Sequence, residues 1–217
     1  MLFSNILGLE HIKKHLTGTA DKGRIPHAQL FIGKTGYGTL PMAIAYAQYI
    51  LCNNQNGENN GENAACNTKF NNFTHPDLHF AYPVISGKVA SKPKSTDFIA
   101  EWRSFMSANL YGSLYDWYQH LGVKNQQGEI RVQEAADTLK KLSLKSYEGG
   151  FKVSIIWGAD KMNTDCANKL LKLIEEPPNK TLLILIAENE EDILQTIRSR
   201  CQVLQFPPLG EQVIADA

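Results

Sequence analysis

Gly33-Lys34-Thr35-Gly36-Tyr37-Gly38-Thr39-Leu40 follows the apolar run Ala28-Gln29-Leu30-Phe31-Ile32, and its reading decides the fold. A phosphate-binding loop has a Gly, four residues, then Gly-Lys-Ser/Thr. Gly33 and Gly38 keep that spacing, with Gly36 between them, but Thr39 stands in place of the lysine and Leu40 in place of the hydroxyl residue. The lysine carries positive charge to the β- and γ-phosphates and the hydroxyl holds magnesium. Neither Thr nor Leu can do this, so the glycine frame of a nucleotide fold survives without its chemistry. A displaced register, in which Gly33-Lys34-Thr35 closes the motif, would put Ala28 at the first glycine and an apolar, strand-like run in the loop. A loop wrapped around phosphates needs residues free to adopt positive φ, which that run lacks.

The flanks fit a phosphate loop. Ala28–Ile32 reads as a buried strand, and Pro41 falls in the first turn of a helix running through Ala43-Ile44-Ala45-Tyr46-Ala47 to about Leu51. Ile6, Leu9, Ile12 and Leu16 predict an earlier helix. Asn53–Asn63 is rich in Asn, Gly and Glu and reads as a mobile surface loop, and Ser86–Ser95 as a further loop. Strands are predicted over Leu78–Tyr82, Val153–Trp157, Leu182–Ala187 and Val203–Phe206. Helices are predicted over Val132–Leu142 and around Ala167, Leu170, Leu171 and Ile174, with two short ones between Phe98 and His120 split at Gly112. Strands alternating with helices imply an α/β fold with a five-stranded parallel sheet flanked by helices in three layers.

The bulk properties exclude some classes. The 217 residues carry 22 basic and 22 acidic side chains and are 43% hydrophobic. Zero net charge argues against a free-standing nucleic-acid binder. No apolar run reaches membrane-spanning length, and the start lacks a secretory signal. Cys52, Cys66, Cys166 and Cys201 are scattered, and without an export signal they read as reduced cytoplasmic thiols.

A nucleotide-hydrolysing strand ends in an acidic pair that positions magnesium and water. Here the Val153 strand runs into Ile156-Trp157-Gly158-Ala159-Asp160, and the pair would fall on Gly158 and Ala159. Asp160 is the only acid nearby and reads as a solvated or helix-starting residue. Loop and strand have thus lost their reactive groups independently.

Ala167-Asn168-Lys169-Leu170-Leu171-Lys172-Leu173-Ile174-Glu175-Glu176-Pro177-Pro178 and, further on, Ser199-Arg200-Cys201 are distinctive, as are His75-Pro76-Asp77 and Tyr147-Glu148-Gly149-Gly150. On these motifs the chain resembles the delta-prime family of bacterial DNA polymerase III clamp-loader subunits, within the AAA+ superfamily. The resemblance covers nearly the whole chain apart from Ser86 to about Gly128. It implies a AAA+ nucleotide-fold domain over 1–208 with a helical insertion at about 86–128. It also implies a lid domain beginning at 209–217, with the rest of the lid and a collar domain beyond the sequence in hand. The implied role is a non-hydrolysing stator between delta and gamma/tau subunits, meeting DNA only through the assembled complex, in the cytoplasm. Arg200 would reach across to ATP bound by gamma/tau, with Ser199 setting the turn and Cys201 packing behind it. The family implies membership of a DNA polymerase holoenzyme, but this chain is expected to have neither ATPase nor polymerase activity of its own and no cofactor. Alternatives are an ATP-hydrolysing motor subunit of gamma type and an interaction module unrelated to replication.

The same family often binds zinc through one cysteine and a later Cys-x-x-Cys-x-x-Cys cluster. Here Cys52 could be the first ligand, but the cluster is reduced to Cys66. His75 and His79 could complete four donors only with doubtful geometry, so no metal is expected. His75-Pro76-Asp77 is read as a structural turn, with Asp77 accepting local N–H bonds. The aromatics of the insertion (Trp102, Phe105, Tyr111, Tyr115, Trp117, Tyr118) are expected to form a small core rather than a displayed surface.

Overall fold

The computed structural model describes residues 2–53, 64–86, 92–123, 126–148 and 150–210. The strands are β1 (Ala28–Ile32), β2 (Leu78–Ala81), β3 (Lys152–Trp157), β4 (Thr181–Ala187) and β5 (Gln202–Gln205). All neighbours are parallel, in the order β2-β3-β4-β1-β5. The five-stranded parallel sheet expected from the sequence is therefore present. The helices are α1 (Glu10–Asp21), α2 (Thr39–Asn53), α3 (Ala64–Asn71), α4 (Ile99–Ala108), α5 (Leu114–His120), α6 (Val132–Ser143), α7 (Thr164–Glu175) and α8 (Gln195–Arg198).

Strand alternation separates two cores. On β4, Leu182, Ile184 and Ile186 face one cluster, while Leu183, Leu185 and Ala187 face the other. The first cluster is covered by α1 to α5, through residues such as Leu16, Tyr46, Phe70, Trp102 and Trp117. The second is covered by α6, α7 and α8, through Ala135, Leu170 and Ile197. Helices on both faces make three layers, as a parallel sheet requires.

The 92–123 segment docks through most of its aromatics, but Tyr115, expected in the same core, is 66% exposed because it lies on the outer face of α5. Tyr82 stacks on Trp102 at 4.1 Å, and Trp102 meets Trp117 edge-on at 5.6 Å and Trp157 of β3 at 5.4 Å. Such pairs contribute about 1 kcal/mol each beyond their buried area. Trp117 Nε1 donates to the Pro83 carbonyl, so its burial leaves no orphan donor.

Several expectations are corrected. Ile6 and Leu9 precede the first helix, which starts at Glu10; Leu9 itself has φ 61°. The apolar spacing continues upstream because the non-helical turn buries its residues in the same cluster. Helix α3 was not foreseen: only Cys66 and Phe70 of its eight residues are buried, too sparse a pattern to read. Cys52 and Cys66 are not free thiols: α2 and α3 bring their Cα atoms to 5.8 Å and they form a disulfide, whereas Cys166 and Cys201 are free. Asp77 does accept N–H bonds, but distant ones. It takes Tyr147 N–H at 2.9 Å and Glu148 N–H at 3.1 Å, tying the turn before β2 to the loop before β3. The Asn53–Asn63 expectation falls almost wholly on 54–63, outside the described residues, and so does 211–217 of the lid expectation. No helix among the described residues is long and apolar enough to cross a membrane.

Candidate functional site

The glycine loop leaves the carboxyl end of β1 and enters α2, with Gly36 at φ 85° and Gly38 at φ 81°. Those conformations need glycine, which explains why the frame persists. Thr39 and Leu40, at the positions where a phosphate loop would carry its lysine and hydroxyl, are turned inward, 8% and 3% exposed. The Thr39 methyl would lie 2.9 Å from a Cβ placed on Gly33, so this side chain packs beneath the loop. The acidic-pair position is equally apolar. Gly158 has φ 72°, and a Cβ there would meet Pro83 Cγ at 3.0 Å and Leu114 Cδ1 at 3.2 Å. Asp160 sits nearby in the first turn of a short 3-10 helix, the helix-starting rather than the solvated alternative. Its side chain is 4% exposed and pairs with Lys161 Nζ at 2.8 Å. One oxygen of the lone acid is thus matched by its own neighbour, while Oδ1 is buried without a hydrogen-bond partner among the described residues. The loop and the end of β3 share a cleft with only about 30 Å³ of free space, enough for a water or two.

The second constellation lies at the other end of the strands. Helix α7 ends at Glu175, where Glu176 N–H closes on the Lys172 carbonyl before Pro177-Pro178 turns the chain towards β4. The short helix α8 is anchored by fully buried Ile197, and its last turn carries Ser199, Arg200 and Cys201 into β5. Ser199 Oγ donates to the Thr196 carbonyl at 3.3 Å. Cys201 packs against the second core, and burial pushes its thiol up to about 12. Arg200 points outward. Its Nη1 donates to the Thr196 carbonyl at 3.0 Å and its Nε to Glu175 Oε1 at 2.9 Å, with side chains 42% and 47% exposed. The two motifs singled out in the sequence therefore touch through this ion pair.

Register separates the two constellations. Ile32, which leads into the glycine loop, is level with Gln205, whereas Arg200 precedes Gln202, which is level with Gln29. At about 3.3 Å per residue, roughly 10 Å of strand lies between Gln202 and Gln205, and Arg200 stands a further turn back, farther than an arginine side chain reaches. Arg200 cannot serve the cleft of its own chain.

A third cluster gathers two of the donors weighed for zinc, Cys66 and His75. Cys66, His75 and Glu148 each offer a donor atom within 4.8 Å of the others. His75, not His79, is the histidine brought there. The donors do not fit a structural zinc in this arrangement. Cys66 Sγ is bonded to Cys52. His75 Nδ1 accepts Asp77 N–H at 3.2 Å, which leaves the ring proton on Nε2, facing Glu148 Oε2 at 3.5 Å. Glu148 Oε1 in turn takes Lys69 Nζ. Burial lowers the His75 imidazole further, so the ring is neutral near pH 7. The cluster is a staple between α2, α3 and the turn before β2.

Comparison with known proteins agrees with this architecture. A family model described as DNA polymerase III, delta subunit, matches residues 8–210. The DNA polymerase III subunit delta' of Bacillus subtilis is 30% identical over 205 residues, covering 94% of this chain and 49% of the relative. The chain thus spans about half the length of the curated relatives it matches. A DNA polymerase III gamma subunit-related protein from Thermotoga maritima superposes with a TM-score of 0.52 at 12% identity, covering 91% of this chain and 47% of its own. A RuvB mutant from the same organism also gives 0.52 at 12% identity, covering 99% and 51%. At that identity the two structures speak for the fold alone, a parallel α/β sheet flanked by helices in three layers.

Proposed function

The chain belongs to the DNA polymerase III delta-prime family, and from that premise we propose that it is a non-hydrolysing stator of the clamp loader. In this reading it stands between a delta subunit and a gamma/tau subunit in the cytoplasm and meets DNA through the assembled complex. Its own cleft turns over no nucleotide, and Arg200 is given to ATP held by gamma/tau. The observation that carries the reading is the placement of Arg200. It is exposed, rigidly based, and on the opposite edge of the sheet from the glycine loop of its own chain. An arginine serves that role because its guanidinium is permanently charged and its planar fork of donors matches phosphate oxygens. Placed against the transferred phosphoryl group, it would stabilise the charge developing there. Its present partner is a half-exposed carboxylate, and such a pair contributes about 1 kcal/mol or less, so exchanging it for a phosphate is cheap.

The test is a loader reconstituted with the full-length protein. Arg200→Ala is expected to lower DNA-stimulated ATP turnover at least about tenfold while leaving assembly intact. Arg200→Lys should recover only part of the rate, since an ammonium lacks the bidentate fork. An unchanged rate in Arg200→Ala removes the finger. Turnover by the isolated protein would instead favour a motor subunit of gamma type.

A further inference from the structure

The cleft beside the glycine loop is filled from within. The turn Asn109–Leu114, between α4 and α5, lies across it and contributes Leu110, Tyr111, Gly112 and Leu114 to its walls. Tyr111 Oη accepts Leu7 N–H at 3.1 Å, joining the insertion to the N-terminal segment. Its ring also closes on the glycine loop. A Cβ on Gly38 would find Tyr111 Cε1 and Leu9 Cδ1 both at 3.4 Å. Leu114 covers the other lost motif, standing 3.2 Å from a Cβ placed on Gly158.

The turn is built to hold this position. Gly112 N–H bonds the Asn109 carbonyl at 2.9 Å, and a Cβ on Gly112 would strike that carbonyl and Phe105 Cζ at 2.9 Å each, so only glycine fits. Ser113 then caps α5, with Asp116 N–H donating to its Oγ at 3.0 Å and its own N–H donating to Asp116 Oδ2 at 2.8 Å. Behind it, Trp117 and Phe105 are fully buried in the aromatic core. The segment is therefore anchored on both sides of the contact.

We propose that the Asn109–Leu114 turn is an internal occupant of the degenerate phosphate-loop cleft, permanently holding together the glycine loop, the N-terminal segment and the end of β3. A bound nucleotide would touch the loop and the strand end in the same place. Here packing of Tyr111 and Leu114 does so without a ligand. The loss of lysine, hydroxyl and acidic pair is then matched by a steric change: the space beside the loop is narrowed to about 30 Å³, and the wider groove of about 610 Å³ that adjoins it at Thr35, Leu114, Asp160 and Glu188 lies outside the turn. This deepens the stator reading, and rests on it in taking the cleft as idle in nucleotide turnover.

Hydrogen exchange followed by mass spectrometry on the full protein tests the proposal. In Tyr111→Ala/Leu114→Ala, amides of residues 34–40 and Leu7 are expected to exchange at least about tenfold faster, with β5 and the Arg200 turn unchanged. Millimolar MgADP should leave the wild-type pattern unaltered. Unchanged exchange at 34–40 in the double variant, or new protection there in wild type with MgADP, overturns it. Should the double variant unfold, Tyr111→Phe removes only the hydroxyl. Exchange at Leu7 must then rise while the rest of the fold stays protected, and no rise at Leu7 defeats the bridge. These measurements use the chain alone, whereas the finger is read from ATP turnover in the loader, so either idea can fail without the other.

Discussion

The cleft at the carboxyl edge of the sheet and the Arg200 corner at its amino edge are opposites. In the cleft, Thr39 and Leu40 have turned inward, and insertion side chains occupy the remaining space. At the corner a base formed by buried Ile197 and partly buried Cys201 carries an outward guanidinium held by Glu175, the Thr196 carbonyl and, at 3.5 Å, Ser199 Oγ. On the stator reading proposed above, the contrast follows from what each job would require. A site that no longer takes a ligand gains by closing, because an unfilled gap forfeits contacts on both its walls. A residue that serves another molecule must be precisely based yet loosely held at its tip. Changes in the cleft should therefore appear as stability, and changes at the corner as activity.

The largest expected effect comes from forcing the cleft back towards its ancestral chemistry. Gly158→Asp restores an acid at the end of β3, but at φ 72° and with Pro83 and Leu114 within 3.2 Å of the new Cβ. Overpacking, backbone strain and a buried carboxylate together should cost about 4 kcal/mol, read as a lower urea midpoint. Arg200→Ala, in the same assay, should move stability by less than about 0.5 kcal/mol. A Gly158→Asp protein as stable as wild type would mean the cleft is open, and the contrast would collapse.

A kinetic prediction probes the base of the corner. An ordinary thiol titrates near 8.5, whereas burial raises Cys201 to about 12. Only the thiolate is alkylated, so at pH 8 iodoacetamide should label Cys201 at least about a hundredfold slower than a free thiol. The rate should keep rising with pH well beyond 9. Because the folded value lies above the unfolded one, burial of the thiol favours folding below about pH 8.5, and that contribution is lost as pH climbs towards 12. Rapid labelling at pH 8 would show that the corner frays and that Arg200 has no rigid base.

Much of this contrast was legible in the sequence, and the rest was hidden for physical reasons. The central strands were readable because parallel strands buried on both faces are near-continuous apolar runs, as in Leu182–Ala187, whereas the edge strand β5, Gln202–Gln205, buries only Leu204 and was read one residue late. The glycine frame was readable because Gly36 and Gly38 are required by their positive φ. The proximity of Glu175 and Arg200 was not, since it depends on α7 and α8 packing together across the intervening strand. Nor was the filling of the cleft: Tyr111 and Leu114 look like two more core residues until the fold sets them over Gly38 and Gly158. The Cys52–Cys66 pair was missed because composition speaks of compartment, whereas pairing depends on how α2 meets α3.

The smallest effect is the most discriminating at the corner. The Glu175–Arg200 pair is 2.9 Å long, but both partners are nearly half exposed. Solvent screening and side-chain entropy reduce such a pair to about 0.5 kcal/mol, so Glu175→Ala should barely shift the urea midpoint. A double-mutant cycle with Arg200→Ala should return a coupling below about 1 kcal/mol. In the reconstituted loader the two single variants should then part company. Losing Glu175 frees the guanidinium and should change ATP turnover by less than about fivefold, because only a weak competitor for Arg200 has gone. Losing Arg200 removes the charge itself. If Glu175→Ala instead cost as much turnover as Arg200→Ala, the carboxylate would be orienting the guanidinium rather than parking it. The corner would then be a pre-set pair, rigid out to its tip, and the looseness that separates it from the filled cleft would be gone.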